Sequence, residues 1–271
     1  MSNDNLDFGN LVRGKTIVVT GCSSGIGAQT ARVLRANGAT VVGMDRNPSD
    51  AVDNFIQVDL SDPTAIDAAI AAAPAGLDGL CNIAGLPPTL AAPAVLKVNF
   101  LGLRQLTLGL IGKMADGASI VNLASLAGIG WPQAVSQVEE LIGLRGIDDA
   151  DAFCVKHDIE GQQGRSYFLS KEALIVWTMQ NRWTWRDRGI RMNCVSPGPV
   201  ATPILKDFLE TLGERAEEDA RIMDRPGEPT DIAPVVTFLL SDAAAWMRGL
   251  NVPTDGGMSS HVTLAMNGLA A

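Results

Sequence analysis

The segment GRSYFLSKEAL, residues 164–174, holds Tyr167, the only tyrosine in the 271-residue chain, with Lys171 four positions later. Residues i and i+4 of a helix share one face, so a phenol and an ammonium lie one turn apart. A phenol with pKa about 10 is a poor base at neutral pH unless positive charge stabilises its phenolate. Lys171 supplies that charge and would make Tyr167 a general acid and base. An aromatic and a lysine at this spacing are also ordinary surface packing, so the pair takes its meaning from the rest of the chain.

Two other groups carry chemistry. TGCSSGIG (20–27) joins an apolar run to a helix-like one. Glycines at 21, 25 and 27 let the backbone turn tightly, and the helix N-terminus offers N–H groups and a positive dipole end to a pyrophosphate. The turn residues Gly21, Ser23, Ser24, Gly25 and Ile26 are therefore candidate cofactor contacts. Asp45 ends the next apolar run. A carboxylate there accepts hydrogen bonds from the adenosine ribose and repels a 2′-phosphate, which favours NAD. The adjoining Arg46 keeps NADP as the weaker alternative. Ser125 ends the fifth apolar run, where its hydroxyl could donate to a substrate oxygen. Ala124 cannot take that role, and Ser170 faces elsewhere.

These residues need a scaffold, and the patterning supplies one. KTIVVTG (15–21), TVVGMD (40–45), FIQVDL (55–60), LDGLCNIAG (77–85), ASIVNLAS (118–125), IRMNCVSPG (190–198) and GLNVPTDGG (249–257) read as strands. Helical stretches at 25–38, 62–73, 94–114, 166–185 and 229–241 alternate with them. Continuous apolar strands with intervening helices predict an α/β fold, a single Rossmann-type doubly wound parallel sheet flanked by helices. No linker or repeat divides the chain, so one domain is expected over 1–271. A long segment before Tyr167, about 129–164, breaks the rhythm. PQAVSQVEELIG and DDADAFCVKH within it have helical composition, which predicts a helical insertion.

Composition excludes several classes. The chain is 46% hydrophobic with net charge −9, which suits a large core and argues against nucleic acid and anionic membranes as partners. No apolar run reaches bilayer-spanning length on this reading, and MSNDNLDFGN does not read as a signal peptide. Cys22, Cys81, Cys154 and Cys194 lie far apart, as reduced thiols of a cytoplasmic protein would. His157 and His261 have no ligand-like neighbours, so neither a metal site nor a serine–histidine hydrolase is expected.

TGCSSGIG, CNIAG, KVNF, IVNLAS, YFLSK and SPGPVATP occur in the order found in the short-chain dehydrogenase/reductase family. The chain resembles that family from about Lys15 to Gly257. Its wording lies nearest the branch of 3α-hydroxysteroid dehydrogenase/carbonyl reductase and coniferyl-alcohol dehydrogenase, which shares a long gap between the serine and the tyrosine. The resemblance implies an NAD-dependent oxidoreductase in which Ser125, Tyr167 and Lys171 act on an alcohol or carbonyl, with Lys171 also holding the nicotinamide ribose. By the same resemblance Asn99 distorts its helix and holds a water for proton relay, and Asp59 contacts the adenine amino group beside Leu60. Asn82, Ala84 and Gly85 would line the adenosine ribose, and Pro197, Gly198, Val200 and Thr202 the nicotinamide carboxamide.

The stretch from about 203 to 224 would form a substrate lid. Its Ile204, Leu205, Phe208, Leu209, Leu212 and Met223 suit a bulky apolar or aromatic alcohol. Trp131 and Pro132 could border the same pocket. Coniferyl alcohol is the first candidate substrate and a 3-hydroxysteroid the second. A catalytically silent NAD-binding regulator is the alternative of another class, disfavoured because all four reactive residues are present. Relatives in the family imply a homodimer or homotetramer.

Overall fold

Uniformly apolar strands require cover on both faces, and the chain provides it. The computed structural model describes residues 10–213 and 222–269. Seven parallel strands lie in the order β3-β2-β1-β4-β5-β6-β7. They are β1 (Thr16–Thr20), β2 (Thr40–Asp45), β3 (Asn54–Gln57), β4 (Leu77–Asn82), β5 (Met114–Leu123), β6 (Arg191–Pro197) and β7 (Asn251–Thr254). The expected doubly wound sheet is present. Its winding reverses between β1 and β4, which opens a crevice at their carboxyl ends.

Alternate side chains build two cores. Ile17, Val19, Cys81, Val121 and Val195 face one layer, where α1 (Gly25–Ala36) and the helix Pro229–Leu240 pack. Val18, Met44, Leu80, Ile120 and Met192 face the other. That second layer holds α2 (Pro63–Ala72) and α3, a helix in three parts: Ala92–Leu96, a π-helical Lys97–Gly102, and Leu103–Leu110. A Cβ on Gly102 would collide with the Leu60 carbonyl, so glycine lets α3 approach the turn after β3. The span Ala92–Lys113 is in fact long and apolar enough to cross a bilayer, against the expectation from sequence. It is mostly buried, and its apolar residues serve the core.

The insertion is helical, as expected. Ser125 starts a 3-10 segment (Leu126–Gln133), which the sequence reading did not foresee; α4 (Val135–Gly143) and α5 (Asp149–Lys156) follow. Val138, Leu141, Ala150 and Phe153 join the main core, so this segment is part of the fold's body. The Arg104 guanidinium donates to the carbonyls of Ile142 and Leu144, closing the end of α4.

Next comes α6 (Arg165–Gln180), the helix bearing Tyr167 and Lys171. A Cβ on Gly128 would lie 2.6 Å from Ile175 and 2.9 Å from the Lys171 carbonyl oxygen, so glycine sets the close crossing of the 3-10 segment over α6. Arg165 pairs with buried Glu172 at 2.8 Å and donates to Gln137 of α4, fastening the helix start to the insertion.

The chain continues with α7 (Leu205–Leu212), α8 (Pro229–Leu240) and α9 (Met258–Met266). The last was not anticipated. The third strand stops at Gln57 rather than at 60, and β5 starts at Met114 rather than at 118. Part of the expected lid, 214–221, and the N-terminal residues 1–9 lie outside the described residues.

Candidate active site

The crevice begins where β1 turns into α1. A Cβ on Gly27 would strike the Gly21 carbonyl oxygen, and Gly25 has a left-handed φ of 51°. Both positions need glycine for the turn to close. Ser24 precedes α1 without a side-chain cap bond, so the first-turn N–H groups face the crevice. Asp45 stands at the end of β2. Its Oδ2 accepts from the Ser23 amide (3.0 Å) and hydroxyl (2.8 Å), and its Oδ1 from the Asn47 amide (3.0 Å). Asp59 caps its own turn by accepting from the Ser61 amide and hydroxyl. Partial burial opposes its ionisation, but those bonds and the nearby Arg46 charge hold its carboxyl below the usual value.

Of the predicted cofactor contacts, Gly21, Ser23, Ser24, Gly25, Ile26, Asp45, Arg46, Asp59, Leu60, Ala84, Gly85 and Thr202 line this one cleft. Asn82 does not. It is buried, and its Nδ2 donates to Thr107 Oγ1 (2.9 Å) and Asn122 Oδ1 (2.8 Å). Asn122 donates onward to Thr178, so Asn82 belongs to a polar chain tying the sheet to α3 and α6. Pro197, Gly198 and Val200 are also set back from the cleft. Pro197 ends β6 in the interior, Gly198 packs on Asp255, and Val200 forms a bridge with Gly227. Leu86, Val98 and Leu123 line the cleft although nothing in their type announced it.

Fifth strand, insertion and α6 meet next to that cleft. The Tyr167 hydroxyl hydrogen-bonds with Ser125. Ser125 is fixed in extended backbone ahead of its 3-10 segment, and its Oγ accepts from the Ala127 amide (3.1 Å). Tyr167 is 9% exposed, and burial pushes its phenol up to about 12, with the Ser125 bond opposing the rise. Burial brings the Lys171 ammonium down to about 8. Its Nζ donates to the Leu123 carbonyl (2.7 Å) and lies 5.5 Å from the Tyr167 ring centroid.

Asn99 sits within the π-helical turn, fully buried. Its Oδ1 accepts from the Leu86 amide (2.7 Å), and its Nδ2 donates to the Leu86 carbonyl (3.1 Å) and to Ser170 Oγ (3.4 Å). Ser170 donates to the Tyr167 carbonyl, so it faces the interior rather than the reacting hydroxyls. A Cβ on Gly85 would lie 3.4 Å from Asn99 Oδ1 and 3.9 Å from Lys171 Nζ, which shows how closely the cleft wall meets both groups.

Trp131 packs against the core, and Ile129 of the same segment borders open space beside Ser125. Of the expected lid residues, Ile204 lines the cofactor cleft and Met223 is buried. Sequence reasoning missed Ser196, Asn251, Asp255 and the α9 residues that share Ser125's cavity. The motif DGG (255–257) is the one signal that could have pointed to them. Asp255 accepts from the amides of Gly257 (3.0 Å) and Ser259 (2.8 Å), which launches the last helix.

A doubly wound sheet with a glycine-shaped anion cradle, beside a phenol–hydroxyl pair and an ammonium, defines the class of nicotinamide-dependent oxidoreductases. Comparison with known proteins makes the class specific. Residues 15–136 match the family model described as short chain dehydrogenase, and residues 153–259 match that of Enoyl-(Acyl carrier protein) reductase. The chain is 46% identical to coniferyl-alcohol dehydrogenase of Pseudomonas sp. strain HR199, over 91% of this chain and 97% of that one. It is 30% identical to 3-alpha-hydroxysteroid dehydrogenase/carbonyl reductase of Comamonas testosteroni, over 90% and 96%. The crystal structure of 3-alpha-hydroxysteroid dehydrogenase from Pseudomonas sp. B-0831 complexed with NADH superposes with TM-score 0.79 at 30% identity, covering 95% of this chain and all of that one. The chain belongs to the short-chain dehydrogenase/reductase family and is an oxidoreductase acting on CH–OH groups with a nicotinamide cofactor.

Proposed function

We propose that the chain is an NAD-dependent alcohol dehydrogenase for a bulky, largely apolar or aromatic alcohol, with oxidation of coniferyl alcohol to coniferyl aldehyde as its first candidate reaction. One observation carries the chemistry: the Tyr167 hydroxyl bonded to Ser125 with the Lys171 ammonium 5.5 Å from its ring. The 46% identity to a coniferyl-alcohol dehydrogenase supports the substrate. Asp45, tied to Ser23 at the end of β2, supports NAD, because its carboxylate would repel a 2′-phosphate.

A nicotinamide cofactor held in the cleft lined by Gly21, Ser24 and Asp45 would supply the hydride acceptor for the carbinol carbon. Tyr167 takes the hydroxyl proton of the alcohol as that carbon loses its hydride, and the C–O single bond becomes a carbonyl. Ser125 donates to the substrate oxygen and stabilises its developing charge. The Lys171 ammonium offsets the phenolate charge, countering the burial that raises the phenol's pKa. Asn99, held by both Leu86 backbone groups, braces the turn behind Lys171. Four free, buried cysteines support a reducing compartment such as the cytoplasm.

The test is cofactor reduction measured with NAD and with NADP across aromatic, terpenoid and steroid alcohols. The expected result is turnover with NAD on aryl allylic alcohols such as coniferyl alcohol. Preference for 3-hydroxysteroids would replace the substrate, and preference for NADP would overturn the role of Asp45. Cofactor binding without turnover on any alcohol would leave the regulator reading standing.

A further inference from the structure

Ser125 lines a cavity of about 470 Å3 that is separate from the cofactor cleft. Leu126 and Ile129 line it with Ser125, as do Ser259, Thr263 and Leu264 of α9. A drug-sized or aryl ligand fits a space of this order. We infer that this cavity receives the end of the substrate remote from the carbinol, and that it recognises a hydrogen-bond donor there, such as the phenolic hydroxyl of an aryl allylic alcohol. The inference rests on the reading of Ser125 and Tyr167 as the groups that hold the substrate oxygen.

Two lines of geometry lead to it. With the oxygen at Ser125, the carbinol carbon must turn toward the cofactor cleft, so the remaining substituent extends away from that cleft. Among the described residues, the open space that Ser125 itself borders is this cavity. Two hydroxyls in the cavity have already committed their hydrogens. Ser196 Oγ donates to Asn251 Oδ1 (2.6 Å), and Thr263 Oγ1 donates to the Ser259 carbonyl (2.7 Å). Each hydroxyl has one hydrogen and two lone pairs, so what both present to the cavity is acceptor capacity. An incoming phenol O–H satisfies it, whereas a bare ring or an aryl ether does not. Leu126, Ile129 and Leu264 supply the apolar contact for the ring.

The wall on α9 is held mainly at its start. Asp255 caps the first turn, two left-handed glycines (φ 63° and 92°) make the corner, and Met258 is the buried residue of the helix. Thr263 and Leu264 are exposed enough to be changed without disturbing the core.

The experiment compares kcat/KM for 4-hydroxycinnamyl alcohol and unsubstituted cinnamyl alcohol, in the wild type and in Thr263→Val and Leu264→Trp. One net hydrogen bond predicts about a tenfold preference for the phenol in the wild type. Thr263→Val should bring that ratio close to one. Leu264→Trp, which narrows the cavity, should raise KM for both alcohols by about tenfold or more. Fluorescence titration with NADH should give the same Kd in all three proteins. If the wild type oxidises both alcohols with equal kcat/KM, or the ratio and both KM values survive the two substitutions, the inference is overturned and the proposed function stands. If the wild type oxidises neither aryl alcohol, the proposed function itself fails.

Discussion

Gly21, Gly25, Gly27 and Asp45 come from one β–α–β unit, and backbone turns shape their half of the site. Asn99, Ser125 and Tyr167 come from three separate elements, and the insertion separates the last two along the chain. The cofactor half can form from local geometry, whereas the reacting half depends on long-range packing. The burial differs accordingly. Asp45 and Arg46 reach solvent, while Tyr167 and Lys171 are enclosed, and burial moves both of their pKa values against ionisation. Binding chemistry sits where solvent and backbone dipoles supply the interactions. The proposed proton chemistry would sit where a low dielectric makes one neighbouring charge decisive.

The sharpest way to break this division is Tyr167→Phe. If the two halves are separable, NADH affinity persists while kcat falls by about 10³-fold, measured by fluorescence titration and steady-state turnover. Turnover within tenfold of wild type would remove Tyr167 from proton transfer. Loss of cofactor binding with turnover would show that the halves fold as one unit.

Lys171 tests the enclosure itself. Its folded pKa of about 8 lies below the ordinary 10.5, so between those values the unfolded chain holds a proton that the folded chain lacks. The contribution of Lys171 to the stability of the cofactor-free protein therefore rises with pH from 8 toward 10. The buried thiols of Cys22 and Cys154, raised from 9 to about 11, and of Cys194, raised to about 12, oppose it from about pH 9 upward. The phenol of Tyr167, raised from 10 to about 12, adds to that opposition at higher pH. Replacing Lys171 with Met should raise Tm at pH 7, by a stabilisation of roughly 3 kcal/mol at most, and that gain over the wild type should shrink between pH 8 and 10. Thermal unfolding at pH 7, 8, 9 and 10 checks both effects. A gain that stays constant across that range would assign the pH dependence elsewhere.

The same contrast explains what could be read from sequence. Gly27 and Asp45 were legible because a glycine-only turn and an acidic strand end announce their geometry locally. Ser125, Tyr167 and Lys171 were legible as types, but their meeting followed from the family resemblance rather than from spacing. Asn82 entered only through the family resemblance, and its side chain serves the interior. It is paired in register with Asn122 of β5, and both amides bond within the interior. The clue lay in CNIAG and IVNLAS, two asparagines at matching places on neighbouring strands. Helix α9 was missed because MSSHVTLAM carries little apolar periodicity, which agrees with its mostly exposed surface.

The smallest expected effect lies at the joint between the halves. Thr89, in the loop after β4, donates to Asp207 Oδ1 on α7 at 2.7 Å, and Gln163 of the insertion segment donates to the Thr211 carbonyl at 2.8 Å. Helix α7 is thus fastened once to the cofactor side and once to the reacting side. If it serves as the proposed substrate lid, Thr89→Ala loosens it without touching the cleft. The bond is exposed, so its loss is worth less than about 1 kcal/mol, or a two- to threefold rise in KM for the alcohol. The NADH Kd should stay constant, because the lid would close over the alcohol and not over the adenosine. A change in NADH Kd with an unchanged alcohol KM would instead assign α7 to the cofactor half. The boundary between the two regions would then run on the far side of that helix.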